Sequence, residues 1–231
     1  MIWPQILSFL FPPRCVSCAR DTSDGIVICD ECKNKIEFHR TLICGQCGAR
    51  LAEGKRICHP KYPYIFGAAT DYRDETVKAL IAALKFKGVK DAAKPLSELL
   101  IRYGEHLPLR MSHFTVVPIP LSARRLRERG FNQSALIAER FAAHFTLPYA
   151  PQLLTRTRHT KPQSELAHYD VREKNVENCF AVPQNEAKNI SAKNILLIDD
   201  VRTSGATLAV AAQALKNAGA RRVVALTVAK A

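Results

Sequence analysis

The densest chemistry in the sequence lies in residues 195–208, ILLIDDVRTSGATL. The first four residues are apolar and read as a buried strand. Asp199 and Asp200 stand at its carboxyl end. Val201, Arg202, Thr203, Ser204, Gly205, Ala206 and Thr207 then turn into a helix. A small-residue loop at a helix N-terminus presents backbone N–H groups to an anion. The hydroxyls of Thr203, Ser204 and Thr207 add donors, and Gly205 lets a ligand approach the backbone closely. Two carboxylates repel phosphate, so they need a different partner. Ribose hydroxyls, or Mg2+ bridging oxygens, fit that role. Phosphate and polyhydroxyl together describe a ribose 5-phosphate. Ordinary Ser/Thr capping with an acid in the first turn is the competing explanation, and it accounts poorly for two acids directly after a buried strand.

Cysteines supply the second constellation. Seven of the eight fall within the first 58 residues, and six form the pairs Cys15/Cys18, Cys29/Cys32 and Cys44/Cys47. Two thiolates on one Cys-x-x-Cys turn bind the same ion, and two such turns complete a tetrahedral zinc site. Cys15, Cys18, Cys29 and Cys32 make a compact tetrad. The second set, Cys44, Cys47 and Cys58, has no fourth cysteine; either His59 completes it or the site is empty. A crossed set of Cys15/Cys18 with Cys44/Cys47 is an alternative. Gly45 and Gly48 lie at the third turn, where positive φ is tolerated. All-cysteine sites are closed and structural, and residues 14–60 carry too few large apolar side chains to fold well without metal. Cys179 lies apart and reads as a small core residue.

The chain has 231 residues, 47% of them hydrophobic, and a net charge of +13. That length supports a substantial core, and the charge favours polyanionic partners: nucleic acid, phosphorylated small molecules or an anionic membrane. Residues 1–64 contribute +3 and residues 65–231 contribute +10. No stretch approaches the roughly 18 apolar residues of a membrane span. Residues 2–11 are apolar but lack a basic lead and a cleavage site, and read as a segment packing on the body of the protein. The expected compartment is the cytoplasm, where disulfides are disfavoured.

The elements that must position this chemistry alternate between strand and helix. Strands are expected at residues 65–72, 114–117, 152–155, 180–182, 195–198 and 223–228. Helices are expected at 74–88, 91–103, 132–145 and 206–218, with a short one at 169–175. Strands alternating with helices imply a parallel α/β sheet. A boundary near residue 64 separates a cysteine-rich module, 1–64, from an α/β domain, 65–231.

The segment at 195–208 resembles the PRPP-binding motif of type I phosphoribosyltransferases. FPPRCVSC (11–18), LKFKG (84–88), VVPIPLSARRLRERGFNQS (116–134) and the pattern Arg156, Gln163, Leu166, Arg172, Asn175, Phe180 narrow the resemblance to the ComF/GntX family. It covers nearly the whole chain. It implies a type I phosphoribosyltransferase-like parallel sheet flanked by helices, with a small N-terminal zinc module. It also implies that Asp199 and Asp200 act on the ribose of PRPP, as catalytic residues if the chain is a transferase, with residues 201–207 holding the 5-phosphate and Mg2+ accompanying PRPP. Pro118, Ile119, Pro120, Leu121 and Ser122 take the pyrophosphate-loop position. Arg124 and Arg125 follow them, and Arg156, Arg158, Lys161 and Gln163 belong to a hood over the ligand. Lys85, Lys87, Arg127 and Arg129 are candidate nucleic-acid contacts. Many family members carry eight cysteines in the zinc module; this chain has seven there, the fourth position of the second set falling near Lys61. ComF proteins are linked to natural transformation, so single-stranded DNA and the DNA-uptake machinery are the implied partners beside PRPP. A nucleotide-sensing regulator that retains the fold is the other expectation.

Overall fold

The structure, a computed structural model, describes residues 13–23, 25–51, 58–157 and 179–231. The apolar segment 2–11, the helix expected at 169–175, and Arg158, Lys161 and Gln163 lie outside the described residues. The elements, in chain order, are α1 Asp30–Asn34, β1 Leu42–Cys44, β2 Arg50–Leu51, β3 Ile65–Asp71, α2 Glu75–Phe86, α3 Ala93–Glu105, β4 Phe114–Pro118, α4 Ala123–Arg129, α5 Gln133–His144, β5 Thr155–Arg156, β6 Phe180–Ala181, α6 Ala187–Ile190, β7 Asn194–Arg202, α7 Ala206–Asn217 and β8 Arg222–Lys230.

A six-stranded sheet runs in the order β2-β1-β3-β8-β7-β4. Its last four strands are parallel, and β7 lies between β8 and β4. Both faces of these strands are covered, which is why they read as continuous apolar runs rather than alternating ones. On one face Leu80, Leu96, Leu100, Ile137 and Phe141 pack against Leu196, Ile198, Val224 and Leu226. On the other, Leu208 and Leu215 of α7 pack with Ile195, Leu197 and Val223.

Local chemistry sets the helix starts. Asp74 caps α2 by accepting from the N–H groups of Thr76 at 2.8 Å and Val77 at 3.0 Å. The apolar spacing of Val77, Leu80, Ile81 and Leu84 is the face α2 buries. Helix α4 has no buried residue, so no apolar period announced it. Ser122 caps its start and Gly130, at φ +77°, ends it.

The cysteine-rich segment is joined to the α/β body by the sheet itself. β1 pairs antiparallel with β3, placing Ile43 opposite Phe66 and Cys44 opposite Ile65. The N–H of His39 donates to the Ala69 carbonyl at 2.8 Å. Lys33 Nζ lies 2.5 Å from Glu98, and the Arg102 guanidinium stacks over Phe38. The buried Tyr103 hydroxyl donates to the Thr41 carbonyl at 2.7 Å. Cys15, Ile28, Cys32, Ile36 and Leu42 belong to the same apolar cluster as the body helices.

Losing a buried hydrogen bond and stranding its acceptor costs about 1–3 kcal/mol. Tyr103→Phe should therefore lower unfolding free energy by about that amount in urea titration, with the zinc content unchanged.

Candidate functional site

Strand β7 carries the acid pair. The ladder continues past the four apolar residues, with Val201 opposite Ala229 and Arg202 opposite Lys230. Edge pairing to β8 thus holds Val201 and Arg202 in strand, and the loop shrinks from the expected seven residues to Thr203, Ser204 and Gly205. Gly205 has φ +84° and leads directly into α7. The first-turn N–H groups of α7 have no intrahelical acceptor, the usual condition for an anion seat. Ala206 and Thr207 form that first turn.

Asp199 is 9% exposed and Asp200 2%. Asp199 Oδ1 accepts from the Ser134 hydroxyl at 2.7 Å and from the Asp200 N–H at 2.9 Å. Burial pushes the Asp199 carboxyl up to about 7, and the adjacent Asp200 charge adds to this; Lys85 and the Ser134 hydroxyl oppose it. Lys85 Nζ stands 2.5 Å from Asp200 Oδ2, in an orientation short of a hydrogen bond, which leaves that buried oxygen without a hydrogen-bond partner among the described residues. Lys85 therefore belongs to the acid site, whereas Lys87 is exposed.

The loop after β4 reaches the same place. Pro118 sits opposite Ile198, one residue before the acid pair. The Ile119 N–H donates to the Ile198 carbonyl at 2.8 Å, and the Ile119 carbonyl accepts from Asn132 Nδ2 at 2.9 Å. Pro120, Leu121 and the capping Ser122 lead into α4. Asn132 also caps α5 by accepting from the Ser134 N–H at 3.1 Å. One asparagine thus fixes both the loop and the helix whose first turn supplies Ser134. Asn132, Gln133 and Ser134 fall within the 116–134 motif without an expected role there; their signal is the polar Asn-Gln-Ser run at a helix start.

Cations gather beside the carboxylates. Arg129 is partly buried, its Nη1 2.5 Å from the Gln133 side-chain oxygen. Burial pulls the Arg129 guanidinium down, while the Asp200 charge holds it up. Arg156 is similarly drawn down by burial and supported by Asp199, with the Arg125 charge acting against it. Its guanidinium stacks over Phe180. Lys85, Arg129 and Arg156 therefore share the field of the acid pair, and Arg125 lies near the two arginines, while Arg124 pairs outward with Glu128 at 2.7 Å and Arg127 is exposed.

The cysteines group in series. The ligand atoms of Cys15, Cys18, Cys29 and Cys32 lie within 4.8 Å of one another, as do those of Cys44, Cys47, Cys58 and His59. His59 Nδ1 is 3.5 Å from Cys44 Sγ and Cys47 Sγ is 3.4 Å from Cys58 Sγ. Burial opposes ionisation of Cys15, but N–H donors from Cys18, Cys29 and Ser17 bring it down to about 6. Burial likewise opposes ionisation of Cys44, and the Cys47 and Gln46 N–H groups bring it to about 6. Backbone donors aimed at sulfur favour thiolate, the form that binds metal. Both quartets fit structural zinc. The expectation of positive φ at both knuckle glycines holds for Gly48, at +72°, and not for Gly45. Gly45 is required for space instead: a Cβ there would lie 2.6 Å from the Tyr64 carbonyl and 2.8 Å from the Tyr62 ring.

Comparison with known proteins gives two family matches. Residues 6–60 match the double zinc ribbon domain, and residues 132–231 match the phosphoribosyl transferase domain. The DNA utilization protein YhgH of Escherichia coli K12 is 30% identical over 217 residues, covering 90% of this chain and 86% of its own. The chain belongs to the ComF family. Other ComF relatives are Competence protein F of Haemophilus influenzae, 25% identical over 91% of this chain and 93% of its own, and Competence protein ComFC of Bacillus subtilis, 28% identical over 83% and 79%. A glutamine phosphoribosylpyrophosphate amidotransferase structure from B. subtilis aligns over 60% of this chain and 26% of its own, at 20% identity and a TM-score of 0.39, too low to argue from. Among the described residues of this ComF protein no helix is long and apolar enough to cross a membrane.

Metal analysis should find two zinc ions per chain, falling to one in the Cys58→Ser/His59→Ala double variant. Between the unfolded carboxyl value and about 7 the folded chain binds the extra Asp199 proton, so the stability supplied by neutral Asp199 is lost as pH rises. Asp199→Asn, whose Oδ1 can accept the same two bonds, should therefore raise the melting temperature relative to wild type at pH 8, with the gain shrinking towards pH 5.

Proposed function

We propose that this chain binds a ribose 5-phosphate compound, PRPP or a close relative, on the α/β domain and serves DNA uptake as its competence relatives' names indicate. The observation that carries the reading is the buried Asp199–Asp200 pair, with Lys85 against it and the Arg129 and Arg156 charges acting on it, directly before a small-residue loop at the head of a three-turn helix. The 5-phosphate takes the N–H groups and hydroxyls of residues 203–207. The ribose hydroxyls take the carboxylates. Residues 118–122 face the pyrophosphate, with the arginines neutralising it. Asp200 Oδ2, ion-paired with Lys85 but without a hydrogen-bond donor among the described residues, could take Mg2+ or a ribose hydroxyl as a further partner, and Mg2+ bound there would neutralise pyrophosphate charge. If phosphoribosyl transfer follows, the protein contributes positioning and electrostatic stabilisation as pyrophosphate leaves.

A contact with single-stranded DNA is the second reading, favoured by a cleft of about 340 Å³ between the β1–β2 hairpin and the end of β8. Arg40, Arg50, Lys230 and His39 line it beside Phe38, with no acidic lining residue among those described. Burial lowers the His39 pKa and the Lys230 charge lowers it further, while the Asp71 charge opposes this. The basic surface thus extends onto the zinc-bearing hairpin, whereas Lys85 is engaged with Asp200.

Calorimetry tests the first reading. Mg2+-dependent PRPP binding is expected in wild type and absent in Asp199→Asn/Asp200→Asn; absence of binding in folded, zinc-loaded wild type would reject it. For the second, the salt dependence of single-stranded DNA affinity should flatten in Arg40→Ala/Arg50→Ala, by about 0.7 in log–log slope per lost phosphate contact, and an unchanged slope excludes the cleft.

A further inference from the structure

The second cysteine–histidine cluster and the phosphate loop are far apart in sequence and in contact in space. Arg202, the last residue of β7, donates from Nη2 to the Gly45 carbonyl at 3.3 Å. Gly45 lies inside the Cys44–Cys47 knuckle. The Arg202 guanidinium also covers the Phe66 ring at 4.6 Å. At the other end the same guanidinium presses on the loop: a Cβ on Gly205 would lie 2.8 Å from Arg202 Nε and 3.2 Å from its Nη2. Tyr64 makes a second bridge. Its carbonyl crowds Gly45, and its hydroxyl would lie 3.0 Å from a Gly205 Cβ. Knuckle, Tyr64, Gly205 and Arg202 form a closed ring of contacts that only glycine permits at both ends.

The bridging groups are held by shape rather than by bonds to the loop. Tyr64 is 3% exposed, and neither its hydroxyl nor Arg202 Nε has a hydrogen-bond partner among the described residues. Buried polar atoms without partners are uncommon and call for a physical reason. Here the reason is position. The Gly45 carbonyl fixes one end of the guanidinium, the Tyr64 main chain fixes the ring, and both set where Gly205 can sit. A filled tetrahedral site makes a knuckle rigid; an empty one does not.

We propose that the Cys44–Cys47–Cys58–His59 cluster braces the phosphate loop through Arg202 and Tyr64, so that metal occupancy of this cluster and anion occupancy of the loop favour each other. Arg202 and Tyr64 are positioning residues. The inference rests on the phosphate-loop reading for its ligand and on coordinates alone for its brace. Linkage makes it reciprocal: whatever factor zinc adds to ligand affinity, ligand adds to zinc affinity. Metal loss would then loosen a loop that lies outside the cluster.

The full, zinc-loaded chain tests this. Zinc transfer to a chromogenic chelator is followed with and without saturating Mg2+–PRPP. One of the two zinc ions should leave about fivefold more slowly or better when ligand is bound. In Arg202→Lys, which keeps the charge but not the planar fork, that ratio should fall towards one. Ligand seen to bind by calorimetry, with no change in release of either zinc, overturns the proposal. A ligand-free arm separates this from failure of the phosphate reading: backbone deuterium exchange at residues 203–207 should accelerate about tenfold or more in Cys47→Ser over wild type. Should Cys47→Ser not fold, the same acceleration is required of Arg202→Lys. Unchanged exchange in the folded variant overturns the brace whether or not PRPP binds.

Discussion

Two adjacent carboxylates buried at the end of a central strand are the constraint around which this ComF protein is arranged. Asp199 cannot be ionised there without help, because burial and the neighbouring charge both favour its proton. The help comes from separate elements: Lys85 from the end of α2, Ser134 from the first turn of α5, Arg129 from α4 and Arg156 from β5. Each must arrive at one point, so the loop after β4, the Asn132 cap and the left-handed Gly130 turn follow as consequences. A site built this way gives up stability for charge that a ligand can use.

The zinc-bearing segment is part of the same construction. Its β1 strand extends the sheet at β3, its Thr41 carbonyl takes the Tyr103 hydroxyl, and its apolar residues share a cluster with α2, α3 and α5. The residue-64 boundary falls one residue before β3, so the switch from cysteine-rich to α/β composition coincides with the entry into the parallel strands. The hairpin also places Arg40 and Arg50 beside Lys230, creating a basic cleft to which both parts of the chain contribute.

Sequence patterning was most informative where one local rule acted alone. The 3.6-residue period of Val77, Leu80, Ile81 and Leu84 identified α2, and the apolar runs at 114–117 and 195–198 identified strands covered on both faces. It was least informative where two rules competed. α4 is mostly charged and its one large apolar residue, Leu126, is exposed, so its cap and glycine stop are its only marks. Val201 and Arg202 read as loop because Thr203, Ser204 and Gly205 follow, yet pairing with Ala229 and Lys230 keeps them in the ladder.

By itself the sequence determined the ligand chemistry on offer: thiolates in metal-binding pairs, two acids before a Thr-Ser-Gly loop, and a surplus of cations. These are properties of residue type and short spacing, which the chain carries whatever its fold. Only the tertiary structure decided which cations serve the acids. Lys85 lies 114 positions before Asp199 and joins the acid pair because the end of α2 comes to the carboxyl end of β7. The structure also brings His59 within ligand distance of Cys44, Cys47 and Cys58, and sets Gly45 and Gly205, with 159 residues between them in the chain, against the same guanidinium. Such contacts depend on how the sheet orders its strands, and strand order is set by packing across the whole chain rather than by any segment of it.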